Sequence, residues 1–121
     1  MSWLPLRGRE AFGRLYRDGR RLDSRLIRCM FLFTDDTPPT VRAAFAVPGR
    51  TFRSVQRHRI KRLMRESLRK ELPALRKSVA DADRSVSLIF IFKGTKDTPR
   101  MSLLDVHESV ASVCVALRQN V

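Results

Sequence analysis

Between Ser54 and Glu71 the chain runs SVQRHRIKRLMRESLRKE, a stretch holding five Arg, two Lys and one His. Guanidinium and ammonium groups at this density suit one kind of chemistry, the pairing of phosphate, with arginine able to pair bidentately and to stack on bases. Spacing decides whether they act together. At about 100° per residue, His58, Arg62, Arg65 and Arg69 share one side of a helix. Ile60, Leu63, Met64 and Ser67 share the opposite side, with Leu68 on its flank. Lys61 borders the basic stripe, and Arg57 and Arg59 lie on its two edges. The pattern predicts a helix that packs on a core while offering a continuous cationic ridge.

A plain solvated face is the competing reading. Such a face normally mixes signs to gain i,i+4 pairs, and here Glu66 alone lies near the ridge, with Glu71 toward the apolar side. Glu66 can pair with Arg62 or Lys70, which leaves Lys61, Arg65 and Arg69 uncompensated. Like charges at i,i+4, such as Arg65 and Arg69, cost a few tenths of a kcal/mol, and phosphates filling the gap would offset this. A membrane-surface helix needs its apolar side free for lipid, whereas this one is required for the core. Nucleic acid is the expected ligand and no membrane is expected.

The charge of the whole chain points the same way. Of 121 residues, 25 are Lys or Arg and 12 are Asp or Glu, a net charge of +13. Residues 1–77 hold 20 of the cations against 7 acids, and residues 78–121 hold 5 against 5. So much uncompensated charge repels itself unless a polyanion neutralises it. Arginine outnumbers lysine twenty to five, which favours nucleic acid over an anionic membrane surface.

Residues that would make a protein catalyst are sparse. His58 and His107 lie 49 apart in the sequence, and Asp105, His107 and Glu108 do not all share a helix face. Asp35 and Asp36 sit in a turn, where Asp is favoured for backbone reasons alone. No phosphate-binding glycine loop or zinc spacing occurs, and the several convergent carboxylates of a metallonuclease cannot be assembled. No catalytic residue and no protein metal site are expected. Cys29 and Cys114 fall in separate apolar runs and are expected to be buried free thiols. The opening MSWLPLRGRE lacks the apolar run of a signal peptide, and no segment reaches membrane-spanning length. The expectation is a cytoplasmic protein forming one domain over residues 1–121.

These residues must be positioned by a small number of elements. GREAFGRLYRDGRR predicts a short helix with Phe12, Leu15 and Tyr16 on one side and Gly19 as its C-cap. SRLIRCMFLFT, from Ser24, alternates as a strand; DDTPPT turns; VRAAFAV is the return strand, ended by Pro48-Gly49. RLD near Leu22 predicts a short edge strand. The basic helix is expected over about Val55 to Leu72, with Pro73 stopping it or starting a new turn. SVSLIFIF, Ser85 to Phe92, is continuously apolar, as suits a central strand buried on both faces. The tail from Ser102 to Gln119 predicts an amphipathic closing helix. The order αβββαβα describes an α+β sandwich with a four-stranded, mostly antiparallel sheet.

Alternation assigns faces to the strands. Ile27, Cys29, Phe31 and Phe33 share one face, matched by Ala43, Phe45 and Val47, and that face is core. The other carries Leu26, Arg28, Met30 and Leu32 beside Arg42, Ala44 and Ala46. With its small residues, this mixed face is either a shallow cleft for a ligand or the seat of the first helix.

The segment FAVPGRTFRSVQRHRIKRLMRESLR, Phe45 to Arg69, resembles the signature of the bacterial ribonuclease P protein subunit. In that family a Val-Ser-Lys-Lys strand leads into Ala-Val-x-Arg-Asn-Arg-Ile/Val-Lys-Arg-x-x-Arg-Glu. Val47, Val55, Arg57, Arg59, Ile60, Lys61, Arg62, Arg65 and Glu66 fall in register with it. FGRLYRDGRR resembles the family's first-helix element through Phe12, Tyr16 and Gly19. The likeness covers about residues 7–118. Departures are His58 where the family has Asn, Gly49 and Arg50 where it has two lysines, Pro48 at the strand end, and Lys93 where Arg is usual.

The resemblance implies a small basic partner of a catalytic RNA that uses magnesium to remove the 5′ leader from precursor tRNA. It implies one protein per RNA, with Mg2+ held mainly by the RNA. Arg50, Arg57, His58, Arg59, Lys61, Arg62, Arg65 and Arg69 would then contact the catalytic RNA. Phe12, Tyr16, Arg28, Met30 and Arg42 would line a cleft for the single-stranded leader, the aromatic rings stacking on bases and the arginines meeting phosphates. It also implies a left-handed crossover around the basic helix, in the fold shared with the second domain of a small-subunit ribosomal protein. A ribosomal or other structural RNA-binding role is the alternative for the same ridge. A DNA-binding regulator would want base-reading Asn or Gln on its exposed helix, where Gln56 stands alone.

Overall fold

The computed structural model describes residues 3–49, 52–94 and 103–121. Five strands and three helices follow in the order β1 (Leu4–Pro5), α1 (Arg9–Asp18), β2 (Arg20–Asp23), β3 (Ile27–Thr34), β4 (Val41–Ala46), α2 (Ser54–Asp81), β5 (Ser85–Phe92) and α3 (Leu103–Gln119). The strands form one mixed sheet in the order β1-β4-β5-β3-β2. β5 runs antiparallel to β3 and parallel to β4, and β1 is parallel to β4.

The α+β expectation holds, with two corrections to the sheet. It has five strands rather than four, because Leu4 and Pro5 pair with Arg42 and Ala43. Two residues before a helix are too short for alternation to reveal a strand. β4 does run back against the direction of β3, but β5 lies between them. α2 makes the crossover that joins β4 to its parallel neighbour β5, so the apolar β5 becomes the central strand, as its composition predicts.

The main core lies between one sheet face and the two long helices. Ile27, Cys29 and Phe31 from β3 and Val86, Leu88, Phe90 and Phe92 from β5 meet Ile60, Met64, Leu68, Leu72, Leu75 and Val79 of α2. Val106, Val110, Val113, Cys114 and Leu117 of α3 complete it. Leu26, assigned from alternation to the mixed face, belongs instead to this core. It precedes β3 at a bend, and its N–H donates to Ser109 Oγ on α3 at 3.3 Å. Strand alternation therefore does not extend to it.

Pro73 neither stops nor restarts the basic helix. α2 runs unbroken for 28 residues. Proline in a helix interior removes one backbone hydrogen bond and crowds the preceding turn, at about 3 kcal/mol. Burial of Leu72, Leu75 and Val79 on either side of it offsets that penalty. At the start of α2, Gln56 Oε1 accepts from the Arg53 N–H at 3.0 Å, half of a capping box.

A smaller apolar cluster lies on the other sheet face. Leu6, Leu15 and Ile89 are buried there, with Ala11, Phe12, Met30, Leu32, Ala44, Ala46 and Ile91 packed around them. Leu15, fully buried, seats α1 on that face. Two glycines set α1 in place for different reasons. Gly8 enters it at φ +95, a conformation that side chains rarely adopt. Gly19 leaves it in extended geometry, its N–H donating to the Leu15 carbonyl at 2.8 Å. It is needed for closeness, since a Cβ there would collide with the Leu15 carbonyl and crowd that of Phe31.

Candidate nucleic-acid interface

α2 puts its two faces where helical spacing predicts. Ile60, Leu63, Met64, Ser67 and Leu68 are buried, while His58, Arg59, Arg62, Arg65 and Arg69 are exposed. Ser67 tolerates full burial because its hydroxyl donates to the Leu63 carbonyl at 2.7 Å. Lys61 borders the stripe, half-buried.

The ridge is anchored by aromatic rings rather than by acids. The Arg65 guanidinium lies 5.6 Å from the centre of the Phe45 ring, and that of Arg69 6.0 Å from Trp3. Trp3 in turn packs on Phe45, which stacks on Phe90 in the core. Cation–π contacts hold a guanidinium without neutralising it, at about 0.5–1 kcal/mol where exposed. The one acid on the ridge, Glu66, sits 3.9 Å from Arg62, an exposed pair of small worth. Arg65 and Arg69 thus keep their positive charge at defined positions beside the β4–β1 edge of the sheet.

Two of the expected RNA contacts fare differently. Arg57 is half-buried, and its Nη1 donates to the Phe52 carbonyl at 2.6 Å and that of Gly49 at 3.3 Å. It fastens the β4–α2 connection, so its role is at least in part structural. Arg50 lies outside the described residues.

On the opposite face, α1 and the sheet share the ground that alternation left open: the helix covers part of the mixed face and an open groove remains. Tyr16 is 54% exposed, whereas Phe12, one turn earlier, is half-buried in the smaller apolar cluster. Met30, Arg28 and Arg42 do lie on this face, but the two arginines are not together. Arg28 is level with Ile91 of β5 and Arg42 with Ser87, four residues or about 13 Å apart along the strand. Arg42 approaches Asp36 at 3.8 Å and lines a groove of about 500 Å³ with Arg7, Arg14, Thr34, Thr37 and Ser87. Nothing in the local pattern marks Arg7 and Arg14 as groove residues: Arg7 precedes α1, and Arg14 is one of three arginines along it.

Arg28 is occupied. Its Nε donates to Asp23 Oδ1 at 3.1 Å, Arg21 Nε lies 3.2 Å from Asp23 Oδ2, and Lys93 Nζ lies 3.6 Å from Oδ1. Burial opposes ionisation of Asp23. The hydrogen bond from Arg28 and the charges of Lys93, Arg28 and Arg21 outweigh it and hold the carboxyl below its ordinary pKa.

The remaining groups with chemical potential are buried or isolated. Cys29 and Cys114 are free and buried, as expected. Burial, with Cys114 nearby, raises the Cys29 thiol well above its usual pKa. Burial and the Glu71 charge, opposed by Arg118, push Cys114 up to about 12. Among the described residues no group of three or more His, Cys, Asp or Glu is arranged to hold a metal ion. No helix among them is long and apolar enough to cross a membrane.

A family model described as Ribonuclease P matches residues 4–114. Among solved structures, the chain is similar to the RNase P protein from Thermotoga maritima, with 17% identity and a TM-score of 0.73 over 91% of this chain and 94% of that one. It is also similar to the Staphylococcus aureus RNase P protein, with 18% identity and a TM-score of 0.70 over 93% of this chain and 94% of that one. At such identities the structural likeness speaks for the fold. No curated protein matches the chain.

Proposed function

The chain belongs to the ribonuclease P protein family, a family of ribonucleoprotein subunits in tRNA processing, and from that premise we propose that it binds a catalytic RNA through the α2 ridge. It then presents the α1 face of the sheet to the single-stranded 5′ leader of precursor tRNA. The observation that carries this reading is the ridge itself. Arg62, Arg65 and Arg69, with His58, Arg59 and Lys61 beside them, line one side of a helix whose other side is committed to the core. Arg65 and Arg69 are held by rings that leave their charge unspent. Such a surface favours a phosphate backbone.

In this reading the RNA carries the chemistry and this chain supplies position. Magnesium would neutralise charge at the scissile phosphate. Following the family resemblance, we assign the ion to the RNA and route no step through the protein. The chain's own contributions are electrostatic and geometric. Its cations lower repulsion between RNA subunit and substrate, and the face carrying Tyr16 and the groove with Arg42 would accept an extended strand. We place one copy of the protein on each RNA, in the cytoplasm.

Reconstitution tests the reading. Adding the protein to the catalytic RNA at low magnesium should restore 5′ maturation of precursor tRNA, and the protein alone should cleave nothing. Lack of rescue, with RNA binding intact, would leave the structural RNA-binding role in its place.

A further inference from the structure

Asp23 and the three cations around it lie apart from both the ridge and the groove. Alternation and register put all four on the α1 face. Arg21 is paired with Met30 and Asp23 with Arg28 across β2 and β3, Arg28 is level with Ile91 of β5, and Lys93 follows Ile91 by two residues. Lys93 is fixed there, its N–H donating to the Leu26 carbonyl at 2.7 Å. Three cations around one carboxylate leave an excess of two positive charges at this corner of the sheet. The side chains of Arg21, Arg28 and Lys93 stay 57%, 43% and 27% exposed.

The grouping does more than staple the edge strand. One lysine or arginine would suffice to pair Asp23, and each exposed ion pair contributes only about 0–1 kcal/mol. The carboxylate itself stays 35% exposed, so an incoming anion can reach the same cations and exchange with it. A phosphodiester brings the same single negative charge and accepts from guanidinium in the same way. Beside the cations, the partly exposed Met30 and Ile91 offer apolar surface to a base.

We propose that Arg21, Arg28 and Lys93 form a binding site for a backbone phosphate of single-stranded RNA, and that Asp23 occupies this site in the free chain as an internal competitor. The inference rests on reading the α1 face as a single-strand path, and it adds a residue that limits affinity there. An RNA strand entering the site displaces the carboxylate or shares the cations with it. Binding is then weaker, and more readily reversed, than the three cations alone would give.

The test is titration of a labelled single-stranded RNA oligonucleotide with the full chain and its variants. Asp23→Asn keeps the shape and removes the charge. It should tighten binding roughly three- to tenfold and steepen the salt dependence by about 0.7 in log–log slope. Asp81→Asn makes the same change in net charge, at an exposed pair with Lys77 near the end of α2. It should tighten binding by less than about twofold. Combining Asp23→Asn with Lys93→Gln should cancel most of the gain. Unchanged or weaker binding by Asp23→Asn, or an equal gain from Asp81→Asn, would overturn the proposal. If Asp23→Asn loses its thermal transition, Lys93→Gln and Arg21→Gln decide the matter. Each should melt as the parent does and bind roughly threefold more weakly, and parental affinity in both would refute the site. The reconstitution assay runs in parallel. Rescue of cleavage with failed oligonucleotide predictions removes only this site, whereas the reverse pattern removes only the tRNA-processing role.

Discussion

Phe12 and Tyr16 lie one turn apart on α1, yet they do different work. Phe12 is built into the smaller apolar cluster, so its truncation disturbs the seat of the helix as well as any ligand. Tyr16 stands more than half exposed, and its ring is the better probe of base stacking. Stacking of one base on an aromatic side chain contributes about 1–3 kcal/mol. Tyr16→Ala should therefore weaken reconstituted-enzyme affinity for precursor tRNA by roughly five- to hundredfold and leave mature tRNA unaffected. Equal losses for both substrates would count against a leader path along α1. The cysteines make a second prediction at this scale, one of stability. Unfolded thiols ionise near about pH 8.5, whereas in the fold Cys29 is raised and Cys114 reaches about 12. A raised folded pKa means that stability is intact below the unfolded value and lost as pH climbs toward the folded one. Denaturation midpoints should therefore fall as pH rises above about 8.5, where the unfolded thiols ionise and the buried ones do not. Cys114→Ala should flatten the decline.

At the scale of elements, α2 shows how far helical spacing can be trusted. It predicted every buried position from Ile60 to Leu68 and the exposed cations facing away from them. It did not predict that Arg65 and Arg69 rest on Phe45 and Trp3, because those rings arrive from β4 and from the residue before β1, far from α2 in sequence. The consequence is testable. Arg65→Ala should weaken binding to the catalytic RNA and reduce the salt slope by about one. Arg65→Lys should retain the slope but recover only part of the affinity, since ammonium lacks the planar face that packs on Phe45. Full recovery by lysine would show that the ring contact is irrelevant. The sole tryptophan of the chain, Trp3, lies under Arg69, so its fluorescence should change when RNA engages the ridge. α2 also shows the limit of a local rule. Proline is a strong breaker in isolation, but the burial on both sides of Pro73 carries the helix through it.

For the whole molecule, the balance of charge sets opposite demands on the free and bound states. A net charge of +13 in 121 residues destabilises the folded chain by self-repulsion and draws it to polyanions. Salt screens both effects, with a Debye length near 10 Å at 0.1 M. Raising salt from about 10 to about 200 mM should raise the melting temperature of the free protein while weakening its complex with RNA. A melting temperature that falls with salt would mean that the surface ion pairs outweigh the repulsion. The same scale separates the two proposed surfaces. α2 and α3 cover one face of the sheet and α1 the other, so a catalytic RNA on the ridge and a strand on the α1 face need not compete.

Local patterning was enough to specify the number and type of the long elements, the buried stripe of α2 and the surplus of positive charge along its far side. The sequence also carried the family motif. These are local properties, written in the period of a helix or strand and in the sum of charges. Long-range strand pairing was needed to bring β5 between β3 and β4, to add Leu4 and Pro5 as a fifth strand, and to set Arg28 and Arg42 at different ends of one face. It alone brought Asp23 among Arg21, Arg28 and Lys93. Strand order and register arise when distant segments close on a shared core, and no period along the chain records which strand a given residue will face. The ridge in SVQRHRIKRLMRESLRKE was therefore legible from its own residues, whereas the phosphate site around Asp23 existed only once three strands had paired.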